Sequence, residues 1–392
     1  MRWSKVLQRA LADGLEGIHA QRRRAVFRAV EGLVDGGGLW LTGLGRALPG
    51  ACVDKHRIKA ADRLLGNAAL WRELSAFYRV LFVWLCKHNK RPVVLVDWTG
   101  VGPQRCAITQ TLAFSGRALP ILSHVHPLHD LHARHAQRDF VAALAKVIPS
   151  NCTPILVTDA GFHSTWFTAV IKQGWDIVGR VRGKTGVRVG DSWTSVRHLL
   201  EQAGDSAQDL GNLWLYKGHP EQYRFVLAKK RTSKGRKRRT RRTRKQGQNR
   251  SDKTYASSAR EPWLLATTLR CSSDSVIAIY SLRMQIEEAY RDLKSYRHGW
   301  SLHLVRSRTP RRIEVLLMIA AIANVAMHII GLAAEGLQIQ RQFQANTTRH
   351  RRVLSLFVLA RLAVARGILL PECAYQDALG IIRRIATRAL PP

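Results

Sequence analysis

Two aspartates in this sequence stand at the ends of apolar segments with the character of buried strands. Asp97 lies near the end of PVVLVDWTG, and Asp159 lies near the end of TPILVTDAGF. Runs of β-branched residues predict strands buried on both faces. A lone aspartate there is commonly a turn or cap residue. Two such carboxylates with a third acidic partner could instead hold Mg²⁺, which prefers oxygen ligands, and paired metal ions of this kind support chemistry on phosphates.

A candidate third acid lies in the segment IYSLRMQIEEAYRDLKS. Tyr280, Arg283, Glu287 and Lys294 occur there at offsets 0, 3, 7 and 14. At about 100° per residue, these positions fall within a stripe roughly 60° wide on one α-helix. The stripe would turn a carboxylate toward a metal site and three donors toward surrounding phosphates. A solvated helical face with ordinary Glu–Lys spacing predicts the same pattern, so spacing alone leaves both interpretations open.

The elements around these residues predict an α/β fold with helical regions at both ends. Apolar residues recur at helical spacing over the first 80 residues, whereas strand-like segments begin after Arg91. Consecutive strands followed by strand–helix alternation indicate a mixed sheet covered by helices. The helical pattern then weakens, which predicts a partly β insertion within the core. The predicted units are an N-terminal helical domain (1–85), the first part of the core (86–184), the insertion (185–261), the second part of the core (262–335) and a C-terminal helical region (336–392).

The charge composition predicts a polyanionic partner. The 392 residues include 63 Lys and Arg against 27 Asp and Glu, a formal net charge of +36. Residues 229–253 hold 14 of these cations and one Asp, and the rest of the chain is basic as well. Nucleic acid and an anionic membrane both satisfy such a charge. For the run at 229–253, a solvated loop and a phosphate-binding segment are compatible predictions.

The apolar segment from Val315 to Ala334 is long enough to span a bilayer. It contains Asn324 and His328 and continues an amphipathic helical region, so we predict a buried core helix. The N-terminal residues are too polar for a signal peptide. The six cysteines include no C-x-x-C pair, which fits a reducing compartment and gives no zinc signature.

Five histidines crowd one stretch of the chain. Their spacing fits no standard set of metal ligands, so we predict surface or loop residues. They are His124, His126, His129, His132 and His135.

The spacing Y-(2)-R-(3)-E-(6)-K resembles the signature of the bacterial insertion-sequence transposases that cut and paste DNA through hairpins. Here VLVDWTG and VTDAGF precede it in the order of that family. Over most of its length the chain also resembles the transposase type of the bacterial tetracycline-resistance transposon. The matching segments include LTGLGRALPGACVDKHRIKAADRLLGN, RVRGK, SKGRK, EPWLLAT and RMQIEEAYRDLKS.

This resemblance implies an RNase H-like mixed-sheet core and a catalytic site for phosphoryl transfer. Asp97, Asp159 and Glu287 would form the DDE triad of catalytic carboxylates, binding two Mg²⁺ or Mn²⁺ ions per active site. The implied reaction sequence is nicking at the transposon end, hairpin formation, hairpin opening and strand transfer to target DNA.

The resemblance also implies a set of DNA contacts. Tyr280, Arg283 and Lys294 would hold phosphates near the cut. Trp263, in EPWLLAT, matches the tryptophan on which relatives stack a flipped base, although a core tryptophan is the alternative. Further contacts to the DNA backbone would come from Arg180, Arg182 and Lys184.

The implied partners are double-stranded DNA of the transposon ends and of the target, and a second copy of the chain in a synaptic homodimer. The N-terminal domain would bind the ends, and the C-terminal region would contribute to the dimer. We expect a bacterial cytoplasmic, nucleoid-associated protein without a membrane partner. Three alternatives remain: an RNase H-like nuclease that does not join DNA, an inactive transposase-derived DNA-binding regulator, and a membrane-surface protein.

Overall fold

The computed structural model describes residues 3–87, 89–218, 220–229, 261–345, 347–348 and 350–386. The predictions for the basic run at 229–253 fall outside these residues, apart from Lys229. Within them, helices at both ends of the chain flank one mixed sheet. The strands are β1 (Val93–Gly100), β2 (Arg105–Ala113), β3 (Ala118–Pro127), β4 (Ile155–Thr158), β5 (Asp176–Val181), β6 (Gly186–Val189), β7 (Ser192–Ser195), β8 (Gln208–Leu215), β9 (Glu221–Ala228) and β10 (Trp263–Thr267).

The helices of the described residues surround this sheet and form the two terminal regions. Short 3₁₀ turns at Asp13–Leu15, Leu128–Asp130, Leu302–Leu304 and Ile339–Gln342 connect some of them. The helices are α1 (Trp3–Leu11), α2 (Ala20–Val34), α3 (Leu41–Ala47), α4 (Asp54–Leu65), α5 (Ala68–Arg72), α6 (Leu74–Cys86), α7 (Arg134–Val147), α8 (Ser164–Ile171), α9 (Val196–Glu201), α10 (Ser273–Ser281), α11 (Met284–Lys294), α12 (Pro310–Gly336), α13 (Leu356–Ala365) and α14 (Glu372–Ala386).

The centre of the sheet is built on β1, which is buried along its length except at Gly100. Its apolar run has no polar alternation because helices cover both faces. β1 pairs antiparallel with β2 and parallel with β4, and β2 pairs antiparallel with β3. The strands β1, β3 and β4 therefore end on the same side, which we call the carboxyl end of the sheet.

The predicted insertion extends this same sheet. The strand order in the described residues is β3-β2-β1-β4-β5-β10-β9-β8-β6-β7. β10 lies antiparallel between β5 and β9, so it joins the insertion to the core. The short strands β6 and β7 and the helix α9 had no clear signal in the sequence, because their segments are short and largely polar.

The apolar segment that could span a bilayer forms most of α12. Pro310 occupies the first turn of this helix, where a missing N–H costs nothing. Every residue of its most apolar 18-residue window is buried inside the structure. α12 packs against α2, α13, α14 and β3, so it is a core helix, as predicted. The α/β class, the partly β insertion and the helical ends are likewise confirmed.

Candidate active site

Asp97 lies near the carboxyl end of β1 and is only 8% exposed. Its Oδ1 accepts a hydrogen bond from the Trp98 N–H at 2.8 Å. Its main-chain carbonyl accepts one from the Tyr290 hydroxyl at 3.0 Å. Neighbouring strand residues point to opposite faces. Asp97 therefore faces α11, while the Trp98 ring meets the His132 ring on the other face, with centroids 5.8 Å apart.

Asp159 follows β4 directly. Val96 of β1 pairs with Thr158 of β4, so the next residues of the two parallel strands, Asp97 and Asp159, reach the same level of the sheet. The Gly161 N–H donates to Asp159 Oδ1 at 2.9 Å. The buried Gln137 amide donates to the Gly161 carbonyl at 3.1 Å. The turn that carries the second carboxylate is therefore held by α7 as well as by its own backbone.

The prediction of one continuous helix through Tyr280 and Lys294 is wrong. α10 ends at Ser281 and α11 begins at Met284. Between them, the N–H groups of Leu282 and Arg283 bond to carbonyls three residues back, at 3.2 and 3.0 Å. A turn of this tighter kind rotates each residue by about 120° in place of 100°. The predicted stripe is therefore divided between two helices.

Arg283 lies at this junction and links two of the predicted carboxylates. Its Nη1 lies 3.0 Å from Asp97 Oδ2 and 3.5 Å from Glu287 Oε1. The Arg283 and Asp97 side chains are both largely buried, whereas the Glu287 side chain is 42% exposed. The helix α11 is thus attached to β1 twice, through Arg283 to the carboxylate and through Tyr290 to the main chain.

The electrostatics of Asp97 are those of a buried acid among other acids. Burial raises the pKa of Asp97 to about 7, and the carboxylates of Asp159 and Glu287 add to the rise, while Arg283 and the Trp98 N–H oppose it. Burial also lowers the pKa of Lys294, although Glu287 and Asp97 counteract this effect. Positive charge close to Asp97 would therefore favour its ionised form.

A cleft of about 500 Å³ opens between β1 and α11. Asp97 and Glu287 line it, with Tyr290 and Lys294 on the helical side. The Lys294 ammonium lies 5.5 Å from the centre of the Tyr290 ring, a cation–π distance. The cleft therefore brings two acids and two cations, Lys294 and Arg291, to a single opening at the carboxyl end of the sheet.

Trp263 begins β10 and packs against Tyr280. The ring centroids are 4.8 Å apart at 72° between the planes, an edge-to-face arrangement. Tyr280 is buried, which raises the pKa of its hydroxyl, and the charges of Arg283 and Arg180 act in the opposite direction. Of these two rings, the half-buried Trp263 ring is therefore the one that is partly exposed to solvent.

The family model described as "Transposase DDE domain" matches residues 88–325 of the chain. This match covers more than half of the sequence, and it includes all three predicted carboxylates. The chain belongs to the DDE transposase family. The comparison with curated proteins finds no match. Membership confirms that this DDE transposase acts on DNA, as the resemblance at the sequence level implied.

Members of the DDE transposase family generally use divalent metal ions. In the described part of the chain, no group of three or more His, Cys, Asp or Glu residues is arranged closely enough to hold one ion. The donor chemistry nevertheless fits a hard cation, because the buried Asp97 has two acidic neighbours and, among the described residues, a single bonded cation, Arg283. Because Arg283 lies between Asp97 and Glu287, these two carboxylates are farther apart than the ligands of one metal ion would be.

The DNA contacts expected from RVRGK are partly engaged within the transposase itself. Arg180 and Arg182 both form ion pairs with Glu261, and the Arg180 pair measures 2.7 Å. Lys184 is exposed. The three cations lie on and just after β5, next to β10 and therefore near Trp263. Their role as DNA contacts stays a prediction.

The histidine prediction needs correction at two positions. His124 and His126 are not loop residues; they lie on β3 and are half-buried. The centroid of the His124 ring lies 5.5 Å from that of Phe140 of α7, so this histidine packs against a helix. His132 is an exposed loop residue, as predicted, but it adopts a φ of 66°. A Cβ on Gly161 would lie 2.8 Å from His132 Nδ1 and 3.1 Å from Asp159 Oδ1.

Sequence reasoning missed two residues that support the site. Tyr290 and Gln137 hold Asp97 and the turn after Asp159 by single hydrogen bonds. Both are buried. A polar residue within an otherwise apolar helical stripe was the only signal available, and its partner could not be identified without the tertiary structure.

Proposed function

We propose that this DDE transposase performs cut-and-paste transposition of an insertion sequence through DNA hairpins, with Asp97, Asp159 and Glu287 as its catalytic carboxylates. One observation carries the proposal. Two aspartates reach the same level of adjacent parallel strands, and Arg283 connects one of them to Glu287 on the facing helix. Three acids from separate elements thereby converge at the carboxyl end of the sheet.

Asp97, Asp159 and Glu287 would hold two Mg²⁺ or Mn²⁺ ions. When bound, such ions supply positive charge that activates an attacking hydroxyl and stabilises a leaving oxygen on phosphorus. The raised pKa of Asp97 means that the free transposase holds this carboxyl partly protonated near neutral pH. Its deprotonation is therefore part of preparing the site.

Arg283, Tyr280 and Lys294 would bind DNA phosphates around the cut. In the free protein the Arg283 guanidinium compensates the negative charges of Asp97 and Glu287. A guanidinium is also well suited to bidentate phosphate contacts, so DNA could compete with the carboxylates for it. Lys294 lines the same cleft, where its ammonium group would form an ion pair with a DNA phosphate.

The proposed reaction is four in-line phosphoryl transfers. Water attacks at the transposon end and frees a 3′-hydroxyl, which attacks the opposite strand, closes a hairpin and releases the flanking DNA. A second water reopens the hairpin, and the 3′-hydroxyls then attack target DNA. No step requires a covalent bond to the protein. Joining two ends requires a homodimer, which would act in the bacterial cytoplasm close to the nucleoid.

Trp263 supports hairpin formation over simple nuclease action. Its open ring lies beside Tyr280, one of the proposed phosphate contacts. A base flipped from the hairpin tip could stack there, and base–aromatic stacking contributes about 1–3 kcal/mol. A nuclease that only cuts would have no use for such a platform.

The test is incubation with transposon-end DNA and Mg²⁺, followed by gel analysis of hairpin-ended products. We expect loss of cleavage by at least about a thousandfold for Asp97→Ala, Asp159→Ala and Glu287→Gln, because each removes a charged ligand. Glu201→Gln, on the exposed face of α9, is the matched control. Full cleavage by the Glu287→Gln protein would refute the triad.

Trp263→Ala separates the hairpin step from the nick. We expect the nicked product at the wild-type rate and hairpins reduced at least about tenfold, since the stacking platform is gone. Trp263→Phe keeps a smaller aromatic face and should recover part of the hairpin yield. Equal loss of nicking and hairpins would assign Trp263 a role in folding instead.

A further inference from the structure

A second cleft, of about 590 Å³, lies between α7 and α8 on the other side of the sheet from α11. Its α7 wall carries Arg134 and Arg138, one helical turn apart. Its α8 wall carries Ser164, Thr168 and Lys172 at the same spacing. We call this cleft the α7–α8 groove. Three cations and three hydroxyl groups, those of Ser164, Thr165 and Thr168, therefore line a channel with cations on both walls.

The cations of the α7–α8 groove are available to a ligand. Within the ranges that the structure describes, Arg134, Arg138 and Lys172 form no ion pair with a carboxylate. One acid, Glu221, lies in the groove, and it accepts hydrogen bonds from Thr168 at 2.5 Å and from the Tyr223 hydroxyl. The groove thus has three positive charges against one negative charge.

The position of the groove relates it to the active site. α7 and α8 follow β3 and β4, so both helices begin at the carboxyl end of the sheet. α8 starts at Ser164, shortly after Asp159. Burial, His132 and Arg134 lower the pKa of His163, the residue just before α8, so the Arg134 charge reaches the loop that carries Asp159. The two helices also direct the positive ends of their dipoles toward this opening.

The size of the groove suits a stretch of DNA backbone. From Arg134 to Ala142, the α7 wall is about 12 Å long at 1.5 Å per residue. That length matches roughly three base-pair steps at 3.4 Å. Its cations and hydroxyls are groups that contact phosphates, which carry no sequence information. The ligand implied is a nucleic-acid backbone of arbitrary sequence.

We propose that the α7–α8 groove binds the phosphate backbone of target DNA. The inference rests on the proposed function, which places the transposon end at Tyr280, Arg283 and Lys294 on the opposite face of the sheet. Target DNA must reach the same carboxylates from a side that the transposon end does not occupy. It is also bound irrespective of its sequence. The helices of the groove begin at that side, shortly after Asp159, and its cations and hydroxyls suit contacts to phosphates.

The test uses Arg138→Glu combined with Lys172→Glu in the full chain. Both residues are exposed, and neither belongs to the proposed catalytic cleft. The matched control is Lys5→Glu combined with Arg197→Glu, an equal change in charge at exposed positions of α1 and α9. Thermal unfolding of both variants verifies that each is folded. The substrates are precleaved transposon ends with a labelled target duplex, and uncleaved ends with short or long flanking DNA.

We expect the groove variant to cleave short-flank ends within about twofold of the wild type. Target capture, measured by gel shift, should fall at least about tenfold, and strand transfer should fall with it, while the control variant stays near the wild-type level. Target capture equal to that of the control would overturn the proposal. Normal capture with a specific loss of long-flank cleavage would also overturn it, since the groove would then hold donor flank. A wild-type protein that neither cleaves nor joins would refute the proposed function itself.

Discussion

Asp97, a proposed catalytic carboxylate, is buried at a cost to the stability of the folded protein. Burial and the neighbouring Asp159 raise its pKa from 3.8 to about 7. Between pH 4 and 7 the folded protein therefore keeps a proton that the unfolded chain has released. The free energy of unfolding must fall as the pH rises through this window. The burial of Asp97 therefore makes the binding of a positive charge next to it favourable.

Asp97→Asn should therefore stabilise the metal-free protein while abolishing cleavage. The amide has no charge to bury, so we expect a gain on the order of 2 kcal/mol at pH 8, and little change at pH 4, where the acid is already neutral. Thermal unfolding in a chelator at both pH values measures the difference. Asp377→Asn, at an exposed position of α14, is the control. A variant less stable than the wild type at pH 8 would contradict this account.

Tyr290 is expected to position Asp97 against Glu287. Tyr290→Phe removes the hydroxyl that donates to the Asp97 carbonyl at 3.0 Å, which should cost about 1 kcal/mol of stability. We also expect cleavage to slow at least about tenfold with an unchanged Kd for DNA, since the helix and strand lose a fixed contact. Tyr296→Phe, at a residue that is 75% exposed, is the control. Lower stability with full cleavage would limit Tyr290 to folding.

At the scale of elements, the sequence predicted strands better than it predicted the signature helix. β1 and β4 are continuous apolar runs, and such runs are typical of strands that are buried on both faces. The junction at Leu282 and Arg283 could not be predicted in this way. An α-helix and a 3₁₀ turn differ by one residue in hydrogen-bond spacing, and ordinary residues are compatible with both. The choice is made by contacts such as the ion pair between Arg283 and Asp97.

The candidate site was predictable to a similar degree. The types and order of its acids were visible in the sequence, because metal chemistry limits the useful side chains. The supporting residues were not, since Tyr290 and Gln137 act through partners far away in the chain. The α7–α8 groove was also hidden, because Lys172 lies more than thirty residues along the chain from Arg134 and Arg138.

Close packing of α13 on α12 gives a prediction at this scale. A Cβ on Gly331 would lie 2.4 Å from the Leu356 carbonyl oxygen at the start of α13. Gly331→Ala must therefore push the two helices apart, and we expect a loss of about 1–3 kcal/mol in urea unfolding. Gly336→Ala is a matched control in the same helix, where the added Cβ meets nothing within 4 Å. Equal stability of the two variants would show that this contact is not tight.

At the scale of the whole molecule, α12 connects the terminal helices to the sheet. It packs against α2 and α6 from the N-terminal region, β3 from the core, and α13 and α14 from the C-terminal region. The basic exterior is therefore built around an apolar centre to which the N-terminal region, the core and the C-terminal region all contribute. A change that destabilises either terminal region should therefore also destabilise the catalytic core through this helix.

A chain that stops at residue 336 should fail to stay in solution. Without α13 and α14, one side of α12 loses its apolar cover, and large exposed apolar patches promote aggregation. We expect most of this truncated protein in the pellet after lysis and centrifugation, whereas a chain that stops at Ala386 should distribute like the full protein. A soluble, monomeric truncated protein with native helix content would contradict the central role of α12.

The burial of α12 has a consequence for biosynthesis. During translation this segment leaves the ribosome before α13 and α14, the helices that cover it, have emerged. During that interval the nascent chain displays a stretch long and apolar enough to engage membrane-insertion machinery. We expect chaperones that bind nascent chains to compete for the segment, so the yield of active protein depends on how quickly translation proceeds beyond it.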